Sequence, residues 1–111
     1  MTLAIDFDGT IVEDAFPKIG KLKEGAREYI NMLHNDGHII IIWTCRGGEY
    51  LQDVLDFLEN EGIPFDYINE NEPRNFRPFP KIYADIYIDD KGLLGIPSWR
   101  EIYELVSLNN V

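Results

Sequence analysis

Apolar residues along this chain alternate between short continuous runs and the spacing of one helical face. The runs of strand length are residues 3–7, 38–44, 65–68 and 84–88, where β-branched and aromatic side chains are common. Elsewhere apolar residues recur at intervals of three and four positions, which predicts three amphipathic helices. The helical positions are Ala26, Tyr29, Ile30 and Leu33, then Leu51, Val54, Leu55 and Leu58, and finally Trp99, Ile102, Tyr103 and Val106.

Turn and cap residues mark the ends of these elements. Gly37 follows the first helical pattern and supplies a stop for that helix. Ser98 and Glu101 have the spacing of a capping box, which predicts that the third helix begins there. Residues 11–23 are predicted to form a loop or a small hairpin, and the proline-containing residues 69–80 are predicted to form a loop.

The order of the predicted elements indicates the fold class. Strands that alternate with helices at these lengths are typical of a parallel sheet with right-handed crossovers. We therefore predict an α/β three-layer sandwich with a mostly parallel, Rossmann-like sheet, formed by one domain over residues 1–111. In such sheets the ligand site lies outside the carboxyl ends of the strands. The polar residues at those ends are Asp6, Asp8, Thr44, Asp89 and Asp90.

The composition is that of a folded, acidic protein. Hydrophobic residues make up 45% of the chain, and its formal net charge is −10. This charge disfavours nucleic acid and anionic membranes as partners, although it does not exclude nucleic acid at a local basic pocket. The single cysteine, Cys45, rules out an internal disulfide, fits a reducing cytoplasm and is expected to pack internally. Since no apolar run approaches the ~20 residues of a membrane span, we predict a cytoplasmic protein.

The clustered acids predict a metal site. Asp6 and Asp8 lie two positions apart at a strand end, so they project to the same side. Together with Asp89 and Asp90 they would repel one another unless a cation lies between them. Mg²⁺ suits a few carboxylates, water and a substrate phosphate, and a carboxylate beside it can attack phosphorus to form an aspartyl-phosphate. Thr44 could then hydrogen-bond a phosphoryl oxygen through its hydroxyl and backbone.

The run Asp6-Phe7-Asp8-Gly9-Thr10 after an apolar strand resembles motif I of the haloacid dehalogenase superfamily of phosphohydrolases. The four specified residues of this pattern arise by chance roughly once in 10⁵ positions. The weaker motifs follow in the family's order: Thr44 resembles motif II, Lys81 motif III, and Asp89-Asp90 motif IV. The resemblance extends from residue 3 to about residue 92.

The resemblance implies a role for each matching residue. Asp6 would be the nucleophile and a metal ligand, while Asp8 would be the general acid and base and bind metal through its backbone carbonyl. Thr44 and Lys81 would stabilise the phosphoryl group, with Lys91 a poorer substitute for Lys81. Asp89 or Asp90 would complete the metal site, and the sequence does not decide which of the two is the direct ligand.

The spacing of the motifs implies a family member without a cap domain. Thirteen residues separate Thr10 from Glu24, and 36 separate Thr44 from Lys81, most of them needed for a helix and a strand. An uncapped site suits a phosphorylated substrate that is either a macromolecule or a small molecule enclosed by a partner subunit. The second alternative would make the protein a homo-oligomer. The residues assigned to substrate binding are Thr10, Arg46, Arg74 and Arg77.

Two other functions compete with a Mg²⁺-dependent phosphatase. A phosphate-binding or receiver-like regulatory module would accept a phosphoryl group without turning it over. Receivers, however, carry their acceptor aspartate after the third strand, where this chain has Asn69-Glu70-Asn71. The other rival is an inactive interaction protein on the same fold, against which the intact set of acids argues.

Overall fold

A computed structural model of the chain describes residues 1–75 and 80–109. Its parallel strands are β1 (Thr2–Ile5), β2 (Ile39–Ile42), β3 (Tyr67–Ile68) and β4 (Ile86–Ile88), which form one sheet in the order β3-β2-β1-β4. The α-helices are α1 (Ala26–Asn35), α2 (Gly48–Glu61) and α3 (Trp99–Asn109). The predicted α/β three-layer sandwich is confirmed, and every strand pair in the described residues is parallel.

Strand β1 lies at the centre of the sheet and is paired on both sides. It pairs with β2 from Thr2 opposite Ile39 onward, and with β4 from Leu3 opposite Ile86 onward. Its side chains are all buried, as expected for a strand covered on both faces. The carboxyl ends of β1 and β4 are therefore adjacent, at the point where the strand order reverses.

The strands are shorter than the apolar runs predicted. β1 pairing continues for one residue as the Asp6 N–H donates to the Ile88 carbonyl at 2.9 Å. The chain then turns, because the Phe7 carbonyl accepts from the N–H groups of Thr10 and Ile11 at 3.1 and 2.9 Å. At the other end of the sheet, the Thr2 N–H donates to Asp85 Oδ2 at 2.7 Å, and the Thr2 carbonyl accepts the Asp85 N–H at 2.8 Å.

Two aromatic contacts tie the helices to the rest of the molecule. Phe57 of α2 packs edge-on against Phe7, with the ring centroids 5.7 Å apart. Helices α1 and α3 contact each other through Tyr29 and Tyr103, whose ring centroids are 5.6 Å apart. The capping box before α3 is confirmed, since the Glu101 N–H donates to Ser98 Oγ at 3.2 Å. No helix of the described residues is both long and apolar enough to cross a membrane.

Residues 11–23, which were predicted to form a loop or a small hairpin, form a small hairpin. The Glu13 N–H donates to the Lys21 carbonyl at 2.8 Å, and residues 13–21 are called the flap below. The described residues between Thr44 and Lys81 form α2, β3 and a 3-10 turn at Pro73–Asn75. Neither residues 11–23 nor the described residues between Thr44 and Lys81 form a cap domain.

Candidate active site

Three of the predicted acids meet where β1 and β4 end. Asp6 follows β1, and Asp89 and Asp90 follow β4. A carboxylate oxygen from each lies within 4.8 Å of one from each of the others, and these residues are called the acid triad below. The parallel pairing of β1 with β4 produces this meeting, because it brings the two strand ends to one point of the sheet edge.

Thr10 connects Asp6 with Asp90. Its hydroxyl donates to Asp6 Oδ2 at 3.0 Å and accepts the Asp90 backbone N–H at 3.1 Å. Its carbonyl accepts the indole N–H of Trp99, from the first residue of α3, at 2.9 Å. Thr10 is fully buried and its hydroxyl is occupied by acids. The structure therefore gives it a positioning role in place of the predicted substrate contact.

Gly9 is required because Asp90 lies directly against its backbone. A Cβ at this position would stand 2.1 Å from Asp90 Oδ2 and 2.6 Å from Asp90 Cγ. Its φ of +88° also falls in the left-handed region that side chains disfavour. The glycine of the D-x-D-G-T pattern thus makes room for an acid that arrives from another strand.

The acid triad is electrostatically strained in the absence of a cation. The pKa of Asp6 is raised to about 7, chiefly by burial and further by the negative charges of Asp89 and Asp90, while the Thr10 hydrogen bond opposes the rise. Asp90 Oδ1 is buried and has no hydrogen-bond partner among the described residues. A divalent cation bound by oxygen ligands would satisfy that atom and offset the repulsion, so the donor set fits such an ion.

The raised pKa of Asp6 predicts a pH-dependent stability for the metal-free protein. The folded state binds this proton more tightly than the unfolded chain, in which the pKa returns to about 3.8. Stability should therefore fall as pH rises from about 4 to about 7. Urea unfolding in EDTA should show Asp6→Asn gaining stability relative to the parent across that window. A difference that stays constant with pH would contradict the strained site.

Asp8 is paired with Arg46 and is not part of the acid triad. The Arg46 Nε–H donates to Asp8 Oδ2 at 2.7 Å, and Nη2 donates to Asp8 Oδ1 at 2.8 Å. The pKa of the guanidinium is raised, chiefly by these hydrogen bonds and less by the charges of Asp53 and Asp14. The carboxylate of Asp8 thus faces a cation of the protein itself.

Arg46 does not present a free guanidinium to a substrate. Only 1% of its side chain is exposed, and it also donates to the carbonyls of Pro17 and Lys18, each at 3.0 Å. The guanidinium carbon lies 5.0 Å from the centroid of the Phe16 ring. The predicted substrate contact is therefore corrected to an internal one, because protein acceptors occupy most of its donors.

Thr44 is held in place by Asn69, a residue that the sequence analysis did not select. The Thr44 N–H donates to Asn69 Oδ1 at 2.8 Å, and Asn69 Nδ2 donates to the Thr44 carbonyl at 3.0 Å. The Thr44 hydroxyl accepts the Arg46 N–H at 3.2 Å, which leaves its own proton available to a ligand. Asn69 has a φ of +54°, in the left-handed region, which asparagine adopts more readily than most other residues.

The structure places Lys81 on the outer flank of β4. Its Nζ lies 4.9 Å from the centroid of the Tyr87 ring, and the Tyr87 hydroxyl donates to the Ile82 carbonyl, which fixes this segment along the strand. Lys91 instead lies beside the acid triad, with Nζ 3.9 Å from Asp90 Oδ2. The cation near the acids is therefore the lysine predicted to be the poorer substitute.

Arg74 is not among the described residues that line the site. Arg74 donates to Glu72 Oε1 at 2.8 Å, and 80% of its side chain is exposed. Arg77 lies outside the described residues, so its predicted role is not addressed by the structure.

An open cleft of about 480 Å³ brings these groups together. Its lining residues are Asp6, Asp8, Asp14, Phe16, Thr44, Cys45, Arg46, Asp89, Asp90 and Lys91. Cys45 is exposed in the cleft, so its predicted packing role is wrong; it follows β2 and lies beyond the covered sheet. A larger cleft of about 670 Å³ adjoins Thr10 and α3, but it lacks the acid triad, and its volume does not make it the better candidate.

The chain was compared with known proteins. No protein-family model matches it, and no curated protein matches it. Among solved structures, it is similar to a conserved protein from Bacteroides thetaiotaomicron, with 38% sequence identity and a TM-score of 0.91. The match covers 100% of this chain and 93% of the Bacteroides chain.

Proposed function

We propose that this chain, which belongs to the same family as the conserved Bacteroides thetaiotaomicron protein, is a Mg²⁺-dependent phosphohydrolase that attacks a phosphate monoester with Asp6. The observation that carries the proposal is the acid triad at the sheet edge, in which a buried oxygen of Asp90 has no hydrogen-bond partner among the described residues. The D-x-D-G-T pattern and its resemblance to the haloacid dehalogenase superfamily support the same chemistry.

The acid triad would hold the metal ion. Asp6, Asp89 and Asp90 supply carboxylate oxygens, the ligand type that Mg²⁺ prefers. When bound, the ion would neutralise the carboxylates and polarise a phosphoryl oxygen. Both acids of the predicted motif IV reach the site, so either can serve as a ligand.

The reaction would proceed in two steps on this chain's own residues. An Asp6 oxygen forms a bond to phosphorus while the ester P–O bond breaks, and the leaving alcohol takes a proton from Asp8. Water then attacks phosphorus and gives a proton to Asp8 while the bond between phosphorus and the Asp6 oxygen breaks, so phosphate leaves and the Asp6 carboxylate is restored. Thr44 would donate its hydroxyl proton to a phosphoryl oxygen, and Lys91 would supply the positive charge first assigned to Lys81.

A combined binding and turnover experiment tests this function. Mg²⁺ should raise the melting temperature of the parent, since an ion at about a hundred times its Kd contributes about 2.7 kcal/mol. Asp89→Asn combined with Asp90→Asn should abolish that response. Hydrolysis of sugar phosphates, nucleotides, phosphopeptides or phosphorylated nucleic-acid ends should require Mg²⁺ and stop in EDTA.

The outcomes separate the proposal from its rivals. A double variant that responds to Mg²⁺ like the parent would contradict the metal assignment. Mg²⁺ binding with no turnover on any class of phosphate ester would contradict the phosphatase. If a phosphoryl donor then labelled Asp6 stably, the receiver-like module would be the better description.

A further inference from the structure

Arg46 is a buried cation that the proposed reaction does not use. Its side chain is 1% exposed, although it lines the cleft at the carboxyl end of β2. A buried charge is costly unless it is paired and hydrogen-bonded, so the partners of this guanidinium indicate what it does.

Those partners come from two parts of the chain. A guanidinium has five N–H donors in a fixed plane, and Arg46 uses two of them on the Asp8 carboxylate. Nη1 donates to the Pro17 carbonyl, and Nη2, which also donates to Asp8, donates a second time to the Lys18 carbonyl; both carbonyls belong to the flap. One rigid group therefore connects the acid beside the nucleophile to the segment that forms one wall of the cleft.

Aromatic packing covers one side of this connection. The Phe16 ring lies 5.0 Å from the guanidinium carbon and packs against the Tyr50 ring at 5.4 Å. Removing water strengthens the ion pair with Asp8. The backbone N–H of Arg46 also donates to the Thr44 hydroxyl, so the same residue contacts both walls of the site.

We infer that Arg46 is a positioning residue that joins the flap and Asp8 into one unit, so that the orientation of Asp8 depends on the flap contacts of Arg46. The kinetic part of this inference rests on the proposed phosphatase function, whereas the structural linkage does not. Arg46 holds Asp8 from the protein side and makes no contact with the substrate.

Hydrogen exchange in the flap tests the linkage without any activity. The reporters are the amides of Glu13 and Lys18, which donate to the Lys21 and Ala15 carbonyls. Arg46→Met should accelerate their exchange about tenfold to a hundredfold, because it removes charge-assisted hydrogen bonds. Asp8→Ala should accelerate the same amides, and the double variant should exceed the larger single effect by no more than about twofold.

Matched controls separate this effect from general destabilisation. Asp53→Asn removes an exposed charge that acts on Arg46, and no described hydrogen bond joins the two residues, so flap exchange should stay unchanged. The Ile102 amide in α3 should keep its protection in every variant. Where Arg46→Met does not fold, Arg46→Lys retains the charge but not the planar fork, and it should loosen the flap to a smaller extent.

Kinetics on the best phosphate ester provide the second measurement. Arg46→Lys should lower kcat at least about tenfold and leave KM within about threefold of the parent, because the substrate is not contacted. Raised KM with unchanged kcat would overturn the inference in favour of substrate binding. Unchanged flap exchange in Arg46→Met, or single effects that simply multiply in the double variant, would overturn the linkage itself. A parent without turnover would count against the phosphatase, and flap exchange would still decide the linkage.

Discussion

Asp6→Asn should reduce turnover of the best phosphate ester by at least about a thousandfold, because an amide cannot form the aspartyl-phosphate. Because Asp6 also belongs to the acid triad, loss of the nucleophile must be distinguished from loss of a metal ligand. Rates measured at increasing Mg²⁺ make the distinction. Activity that returns at high Mg²⁺ would assign Asp6 to metal binding alone.

Two matched variants accompany this experiment. Asp14→Asn removes a negative charge from the same cleft without altering the acid triad, and it should retain activity within about threefold. Asp8→Asn should lower the rate for an alkyl phosphate by about 10²–10⁴, and by less for an activated aryl phosphate, whose leaving group needs little protonation. Equal losses on both substrates would contradict a separate proton-transfer role for Asp8.

Gly9→Ala should destabilise the protein by about 2–5 kcal/mol, a large fraction of the stability of a small domain. The added Cβ would overlap Asp90 Oδ2 at 2.1 Å, and the backbone would keep a strained φ of +88°. If the variant folds, the Asp90 carboxylate must move away from Asp6 and Asp89. Urea unfolding should report the stability, and the Mg²⁺-induced shift in melting temperature should be lost.

Gly37→Ala is the matched control for this substitution. Gly37 has a similar φ of +94°, but no atom lies within 4 Å of the Cβ that would be added. It should therefore show only the backbone cost, about 1–2 kcal/mol, with its response to Mg²⁺ intact. If Gly9→Ala and Gly37→Ala lowered the stability equally and both kept the Mg²⁺ response, the predicted overlap between the added Cβ and Asp90 would be contradicted.

The sequence predicted the sheet and the meeting of three acids because both follow from local patterns. It also placed Asp8 with these acids, whereas the structure pairs the Asp8 carboxylate with Arg46. Continuous apolar runs identified strands that are buried on both faces, and the strand-helix alternation predicted parallel pairing. Residues that end parallel strands must meet at one edge, which placed Asp6 near Asp89 and Asp90 before any contact was known. The capping box at Ser98 and Glu101 was equally local and is confirmed.

The partners of the long and buried side chains could not be predicted in the same way. Arg46 could reach a substrate or the flap, and only the folded chain shows Pro17, Lys18 and Asp8 around it. Lys81 has the sequence position of motif III, yet the path of the chain before β4 carries it to the Tyr87 ring. Such choices depend on tertiary contacts that leave no periodic signal.

The contact between β1 and β4 joins an interior strand of the sheet to an edge strand. β1 has a neighbour on each side, whereas β4 is an edge strand of the described sheet, held to β1 along three residue pairs. The acids of one strand end repel those of the other, so the contact between β1 and β4 should be weaker when no cation is bound. A ligand that binds the carboxylates of both strand ends would stabilise the pairing of β4 with β1. Resistance to proteolysis near β4 would then report occupancy of the site for any ligand, without knowledge of the substrate.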